Sequence, residues 1–159
     1  MTARIRAAER ADVHAIAELI RGLARYERLE DQVTMTEDML DTALFGFRPY
    51  AETLLAEEDG RPVGFALYFH NFSTFLAKPG IYLEDLYVIE SHRGKGIGRS
   101  LLARLAAVAV ERGCGRLEWA VLDWNVDAIG FYERLGAKPN TDWTVYRLAG
   151  DSLAGLARE

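Results

Sequence analysis

The chain has one cysteine, and Cys114 therefore closes no internal disulfide. That suits a reducing compartment, and cytoplasmic residence is expected. A packing role fits such a cysteine better than a nucleophilic one. The three histidines, His14, His70 and His92, lie far apart and not at ligand spacing, so no metal site is expected. There is no basic run and no basic motif interleaved with aromatics, and the net charge is −5, which makes nucleic acid a poor partner. No apolar run reaches membrane length, the longest being cut by Arg104. The opening Met-Thr-Ala-Arg-Ile-Arg is too polar for a secretory signal. The nucleotide P-loop pattern G-x-x-x-x-G-K-[ST] is missing, as are internal repeats, low-complexity tracts and linkers.

What is present is a 159-residue chain, half hydrophobic and 27% charged, which reads as one globular domain over 1–159. Its most informative stretch runs from Gly80 to Arg112. Ile81 to Ile89 is β-branched and aromatic and predicts a strand. Alternation puts Leu83 and Tyr87 on one face and Tyr82, Leu86 and Val88 on the other. Gly94, Gly96 and Gly98 follow at spacing two, and from Ile97 the apolar period becomes helical through Leu101, Leu102, Leu105, Val108 and Ala109. A strand running through a glycine turn into a helix builds an anion site. First-turn N–H groups lack intrahelical partners, the helix dipole is positive there, and glycine lets a phosphate approach the backbone. Arg93 and Lys95 add charge. A dinucleotide-binding G-x-G-x-x-G does not fit, because Gly98 comes one residue early.

In chain order, Ala3 to Ala7 predicts a first strand. Asp12 is a candidate N-cap for a helix carrying Val13, Ile16, Ala17, Ile20, Leu23 and Ala24 to about Glu27. Thr34 or Thr36 caps a second helix, which runs to about Leu44. Tyr50 to Glu57 and Arg61 to His70 read as strands joined by Asp59-Gly60, a hairpin signal. Asn71 to Pro79 reads as a loop carrying Phe72 and Phe75. Gly113 and Gly115 close the long helix, and Arg116 to Leu122 is the next strand. Asn125 caps a helix over Val126 to Leu135 that Gly136 ends. Asp142 to Leu148 reads as a last strand, followed by a polar tail or short helix. The expected architecture is α/β (α+β): a mixed, mostly antiparallel sheet of six to seven strands with helices on both faces, in the order β-α-α-β-β-β-α-β-α-β.

Two motifs, Arg93-x-x-Gly96-x-Gly98 and W-N-x-x-A-x-x-F-Y-E-R-L-G-A from Trp124 to Ala137, resemble in this order the signatures of the GNAT acetyltransferases. L-A-R-Y-E-R-L-E-D-Q-V, Tyr82-Leu83-Glu84-Asp85 and A-V-L-D-W-N resemble the diamine (spermidine/spermine) branch. The last of these stretches is closer to its thialysine acetyltransferase relatives. The resemblance implies acetyl-CoA as co-substrate, direct transfer to a small amine in a ternary complex, and a homodimer. It also implies site roles. Leu86, Tyr87 and Val88 offer main-chain groups to the acetyl and pantetheine portions. Arg93, Gly94, Lys95, Gly96, Ile97, Gly98 and Arg99 hold the diphosphate. Asn125 and Ala128 touch the pantetheine end, and Tyr132 acts as general acid at the sulfur. Glu84 takes the amine proton through water, and Tyr26, Glu27 and Glu84 line the acceptor site.

The chemistry requires such groups. An alkylamine has a pKa near ~10 and must lose a proton before it attacks a thioester. A carboxylate one water away can take it, and a phenol can protonate the departing thiolate. Each residue also has a plainer role. Glu84 could pair with an arginine, and Asp85 is its rival on the Leu83/Tyr87 face. Tyr132 could be core beside Phe131. Tyr26 and Glu27 could simply end a helix, and Glu30 and Asp31 could be a solvated turn. Trp119, Trp124 and Trp143 suit packing or a pocket wall. Two other functions share the pattern: N-terminal acetylation of a protein or peptide, and a non-catalytic CoA-binding module. The pairing of Glu84 with Tyr132 speaks against the second.

Overall fold

The computed structural model describes residues 3–159. The chain divides into two compact units, Met1–Ala120 and Val121–Glu159. The first holds a five-stranded sheet in the order β1-β2-β3-β4-β5. Its strands are β1 (Arg4–Ala7), β2 (Glu52–Glu58), β3 (Arg61–Ser73), β4 (Lys78–Val88) and β5 (Leu117–Trp119). The first four pair antiparallel, and β5 runs parallel to β4. Three helices belong to this unit: α1 (Val13–Tyr26), α2 (Glu37–Phe45) and α3 (Ile97–Glu111). The parallel step needs a crossover, and α3 supplies it between β4 and β5.

Local chemistry explains most boundaries. Asp59 and Gly60 both take positive φ, 51° and 76°, the geometry of a two-residue hairpin turn that matches strand twist. The β3–β4 hairpin is longer than sequence suggests: its strands reach Ser73 and restart at Lys78, so most of the expected loop is ladder. Thr36, not Thr34, caps α2, accepting from the Met39 N–H at 3.2 Å. Asp12 stands at the head of α1 without capping it. Its carboxylate instead takes the Glu9 N–H and two bonds from Arg6, at 2.8 and 2.9 Å. Charge-assisted bonds from a guanidinium fork are among the strongest a carboxylate accepts. Arg6 also binds Glu57 at 2.7 Å, so one side chain ties β1, β2 and the head of α1 together.

The sheet carries helices on both faces. Leu55 and Phe65 are cross-strand partners and point at α1 and α2, joining Val13, Ile16, Ala17, Leu19, Leu23, Leu40 and Leu44 in one buried cluster. Fully burying side chains such as Ile16, Leu55 and Phe65 is worth roughly 1.5–3 kcal/mol each. On the other face, α3 buries Ile97, Leu101, Leu102, Leu105, Val108 and Ala109. Arg112, at its end, grips Glu52 of β2 with two bonds at 2.7 and 2.9 Å and lies over the Tyr68 ring. Gly113 (φ 70°) then takes the left-handed position, with Cys114 N–H donating back to Ala109 O.

The second unit holds α4 (Val126–Arg134) and α5 (Gly150–Leu156). Asn125 caps α4 through the Ala128 N–H at 3.3 Å, and Gly136 (φ 90°) ends it while Ala137 N–H reaches Tyr132 O. The expected strand at Asp142–Leu148 is not formed, and the tail is helical, so the order closes in α rather than β. That corrects the expected six to seven strands to five among the described residues. Alternating apolar residues give a segment strand propensity, but a strand exists only where a second edge supplies hydrogen bonds.

Replacing Arg6 with Gln should destabilise the fold by about 1–3 kcal/mol, read from urea unfolding at pH 7. Arg6 holds the Asp12 carboxyl below its usual range, so this stabilisation is present at neutral pH and fades as pH falls through the folded value. Parent and variant should therefore converge in acid.

Candidate active site

The site begins with an irregularity in β4. Leu67 pairs with Asp85 and the next residue, Tyr68, pairs with Leu83, so Glu84 is an extra residue in the ladder. This is a β-bulge. It reverses the simple alternation beyond it. Leu83, opposite Tyr68, shares the face of Leu86, opposite Ala66. Tyr82 falls on the Tyr87 face, where its ring meets Phe69 at 5.3 Å between centroids. Period-two reasoning put Leu83 with Tyr87 and Tyr82 with Leu86; one inserted residue exchanges them.

At the bulge, Glu84 and its chain neighbour Asp85 lie in electrostatic reach of a third carboxylate, Glu27, at the end of α1. Glu84 is exposed, whereas Asp85 and Glu27 are half-buried. Burial, with the charges of Glu84 and Glu27, pushes the Asp85 carboxyl up to about 7. Burial and then Glu84 push Glu27 upward as well. Tyr82 is raised by burial, then by Glu84 and Glu118. Two acids held up by burial and by the charge of an exposed neighbour, Glu84, make a site in want of a cation. The sequence offered Asp85 only as a rival of Glu84, and no pattern in it marks the bulge.

The turn after α1 fixes Glu27. Leu29 N–H donates to Ala24 O and Arg28 N–H to Arg25 O, the same closure that ends α3. Here the left-handed position holds Arg28, at φ 62°, instead of glycine. An L-residue there costs roughly 1–2 kcal/mol. Upstream, Gly22 sits inside α1, where glycine costs about 1 kcal/mol against alanine. A Cβ at that position would stand 2.9 Å from Tyr87 Oη and 3.0 Å from its Cε2, so the helix is bare where the Tyr87 ring lies on it.

Next along β4 comes an open edge. Pairing with β5 stops at Leu83–Trp119. Leu86, Tyr87 and Val88 are held by β3 on one side, and among the described residues no strand pairs with their other side. Such an edge accepts an extended arm through main-chain bonds. The chain then makes a short helical turn at Glu90–His92 and enters the glycine segment. Gly94 (φ 76°) and Gly96 (φ 81°) are both left-handed, and Gly96 stands at the N-cap of α3 without a side-chain cap. Added Cβ atoms at either glycine would meet nothing within 4 Å, so the turn is an open cradle below the orphan N–H groups of Ile97, Gly98 and Arg99. The turn is anchored from beneath: Glu58 pairs with His92 at 3.2 Å and Lys95 at 4.0 Å. This cradle, with the cations of Lys95 and Arg99 beside it, fits a diphosphate.

The first unit thus brings together Tyr26, Glu27, Glu84, Leu86 to Val88 and Arg93 to Arg99. Asn125, Ala128 and Tyr132 lie on α4 of the second unit: Asn125 Oδ1 takes the Ala128 N–H, and the Tyr132 ring stands 5.5 Å from that of Phe131. Among the described residues no group of three or more His, Cys, Asp or Glu could hold a metal ion. No helix among them is long and apolar enough to cross a membrane.

Residues 13–137 match the model of the acetyltransferase (GNAT) family. A thialysine N-epsilon-acetyltransferase of Bos taurus is 41% identical over 96% of both chains. An L-ornithine N5-acetyltransferase of Arabidopsis thaliana is 36% identical over 98% of this chain and 88% of that one. An integron cassette protein from the mobile metagenome of V. cholerae superposes with a TM-score of 0.84 at 29% identity, covering 100% of this chain and 99% of its own.

Asp85→Asn should stabilise the protein, and more so at high pH. The folded carboxyl titrates near 7 and the unfolded one near ~4, so the parent loses stability as pH rises between those values. The gain of the asparagine variant, from unfolding curves, should grow from pH 4 to 7 and then level off. A gain independent of pH would mean that Asp85 is not a raised acid.

Proposed function

This chain belongs to the acetyltransferase (GNAT) family and is an N-acetyltransferase, and we propose that its acceptor is the primary amine of a small cationic molecule: a diamine, a polyamine, or a lysine- or thialysine-like amino acid. The observation that carries this reading is the pressure that the charge of Glu84 puts on the half-buried Glu27 and Asp85 beside the open edge of β4. A cationic amine relieves that pressure, and a neutral acceptor does not. The names of the relatives, which act on thialysine and on ornithine, point the same way.

In this reading acetyl-CoA is the co-substrate, and when bound it supplies the acyl group as a thioester. Gly94 to Arg99 cradle its diphosphate, with Arg93 opening the turn. The main chain of Leu86, Tyr87 and Val88 aligns the pantetheine arm and orients the acetyl carbonyl. Asn125 and Ala128 flank the pantetheine end. Tyr26 and Glu27 line the acceptor site. Glu84, through a water, takes the amine proton, and Tyr132 returns one to the departing sulfur. Transfer is direct, so no nucleophilic side chain intervenes. A second assignment of the base has its own support: a carboxyl near pH 7, as at Asp85, is well matched to proton transfer at neutral pH. In that case Glu84 mainly holds the cation.

The family match runs over 13–137 and so spans both compact units, which supports one catalytic domain over 1–159. We also propose a cytoplasmic homodimer. Phe72 and Phe75, 64% and 101% exposed in the β3–β4 hairpin, are apolar candidates for its interface, and sedimentation velocity tests the association.

A free-thiol release assay over putrescine, spermidine, lysine, ornithine, thialysine and short peptides tests the acceptor class. Turnover with a small cationic amine above that with any peptide is expected; a preference for peptide N-termini would overturn the reading. Tyr132→Phe should lower kcat by about 10²-fold with little change in acetyl-CoA binding, and an unchanged kcat would remove it as the acid. Glu84→Gln should lose most activity at low pH, where more of the amine carries its proton. If Asp85→Asn shows that profile and Glu84→Gln does not, the base is Asp85.

A further inference from the structure

The side chain of Arg93 is engaged away from the glycine cradle. Its Nε donates to Val88 O at 2.8 Å. Its Cζ lies 4.7 Å from the centroid of the Tyr26 ring and 5.4 Å from that of Tyr87, both within cation–π range. Its own N–H is also occupied, donating to Glu90 O at 3.2 Å. The two rings are not incidental to the site. Tyr26 is the last residue of α1 and precedes Glu27. Tyr87 lies on α1 at Gly22, one helical turn before Tyr26. Val88 is the last residue of β4 before the chain turns toward the glycines. One guanidinium therefore touches the end of the helix that carries Glu27, the face of the strand that carries Glu84 and Asp85, and the carbonyl at the entrance of the turn.

We propose that Arg93 is a positioning residue that pins the end of α1 to the end of β4, and so holds the acceptor carboxylates in register with the cofactor turn. The inference rests on the reading that Tyr26 and Glu27 line the acceptor site. Planarity matters to it: a guanidinium lies flat on aromatic rings and spares Nε for the carbonyl, while an ammonium offers only a compact charge. A diphosphate ligand would behave differently, because its loss would be felt by the cofactor and not by the amine.

Acetyl-CoA and acetyl-pantetheine, which lacks the diphosphate, separate the two roles. Arg93→Gln should raise the KM of the best amine from the screen roughly five- to twentyfold with either acyl donor. Its calorimetric Kd for acetyl-CoA should stay within about twofold of the parent's. Arg93→Lys should recover part of the amine affinity. Tyr26→Leu should give a similar amine defect, and the Arg93→Gln/Tyr26→Leu pair should fall short of the sum of the two, since both variants remove the Arg93–Tyr26 contact. A defect confined to acetyl-CoA and lost with acetyl-pantetheine would make Arg93 a diphosphate ligand and overturn the proposal, as would an unchanged amine KM. Hydrogen exchange decides the pin without turnover: Arg93→Gln should speed exchange at 24–29, and unaltered exchange there would refute it. A parent that acetylates no amine would instead sink the functional reading, leaving the exchange result to judge the pin.

Discussion

One surplus residue in β4 is the irregularity around which the acidic cluster and the open strand edge lie. A regular strand would place Glu84 and Asp85 on opposite faces of the sheet, one toward α1 and one toward α3. The bulge interrupts that alternation at the point where β5 stops pairing. The charge of Glu84 there raises both Asp85 and Glu27, and the strand beyond keeps an unpaired edge. The acidic cluster and the open edge, proposed to serve acceptor and cofactor, thus lie at the same local departure from ladder geometry.

The surroundings make that departure tenable. Leu55 and Phe65 anchor the sheet to α1 and α2 on one face, and α3 covers the other through Leu101 and Leu105. Arg6 and Arg112 clamp the ends of β2 from opposite sides, through Glu57 and Glu52. Against this frame the site holds several locally unfavourable choices: Gly22 inside a helix, Arg28 in the left-handed region, and a carboxyl raised to about 7. Such choices concentrate where function, rather than stability, sets the residue.

Features whose cause is local were legible in the sequence. Asp59-Gly60 announces its hairpin because those two residue types accept positive φ. Gly94 and Gly96 announce the turn, and Asn125 and Gly136 bracket α4, for equally local reasons. Features set by a distant partner were not legible. The bulge is a property of two strands in register, so no reading of β4 alone contains it. Asp12 looks like a cap until Arg6 arrives from β1. Asp142–Leu148 has strand propensity but no strand geometry. The acidic pair Glu84-Asp85 stood out in sequence, but which member is the raised acid depends on burial that only packing supplies.

Proton counting on amine binding asks whether Glu27, Glu84 and Asp85 form a site for a cation. With the CoA-bound protein at pH 7, the preferred amine is titrated calorimetrically in buffers of different ionisation enthalpy. Asp85 holds part of a proton at that pH, and an arriving cation should drive it off. Release of a substantial fraction of one proton per amine bound is expected, abolished by Asp85→Asn. Binding with no proton exchanged, or with protons taken up, would contradict it.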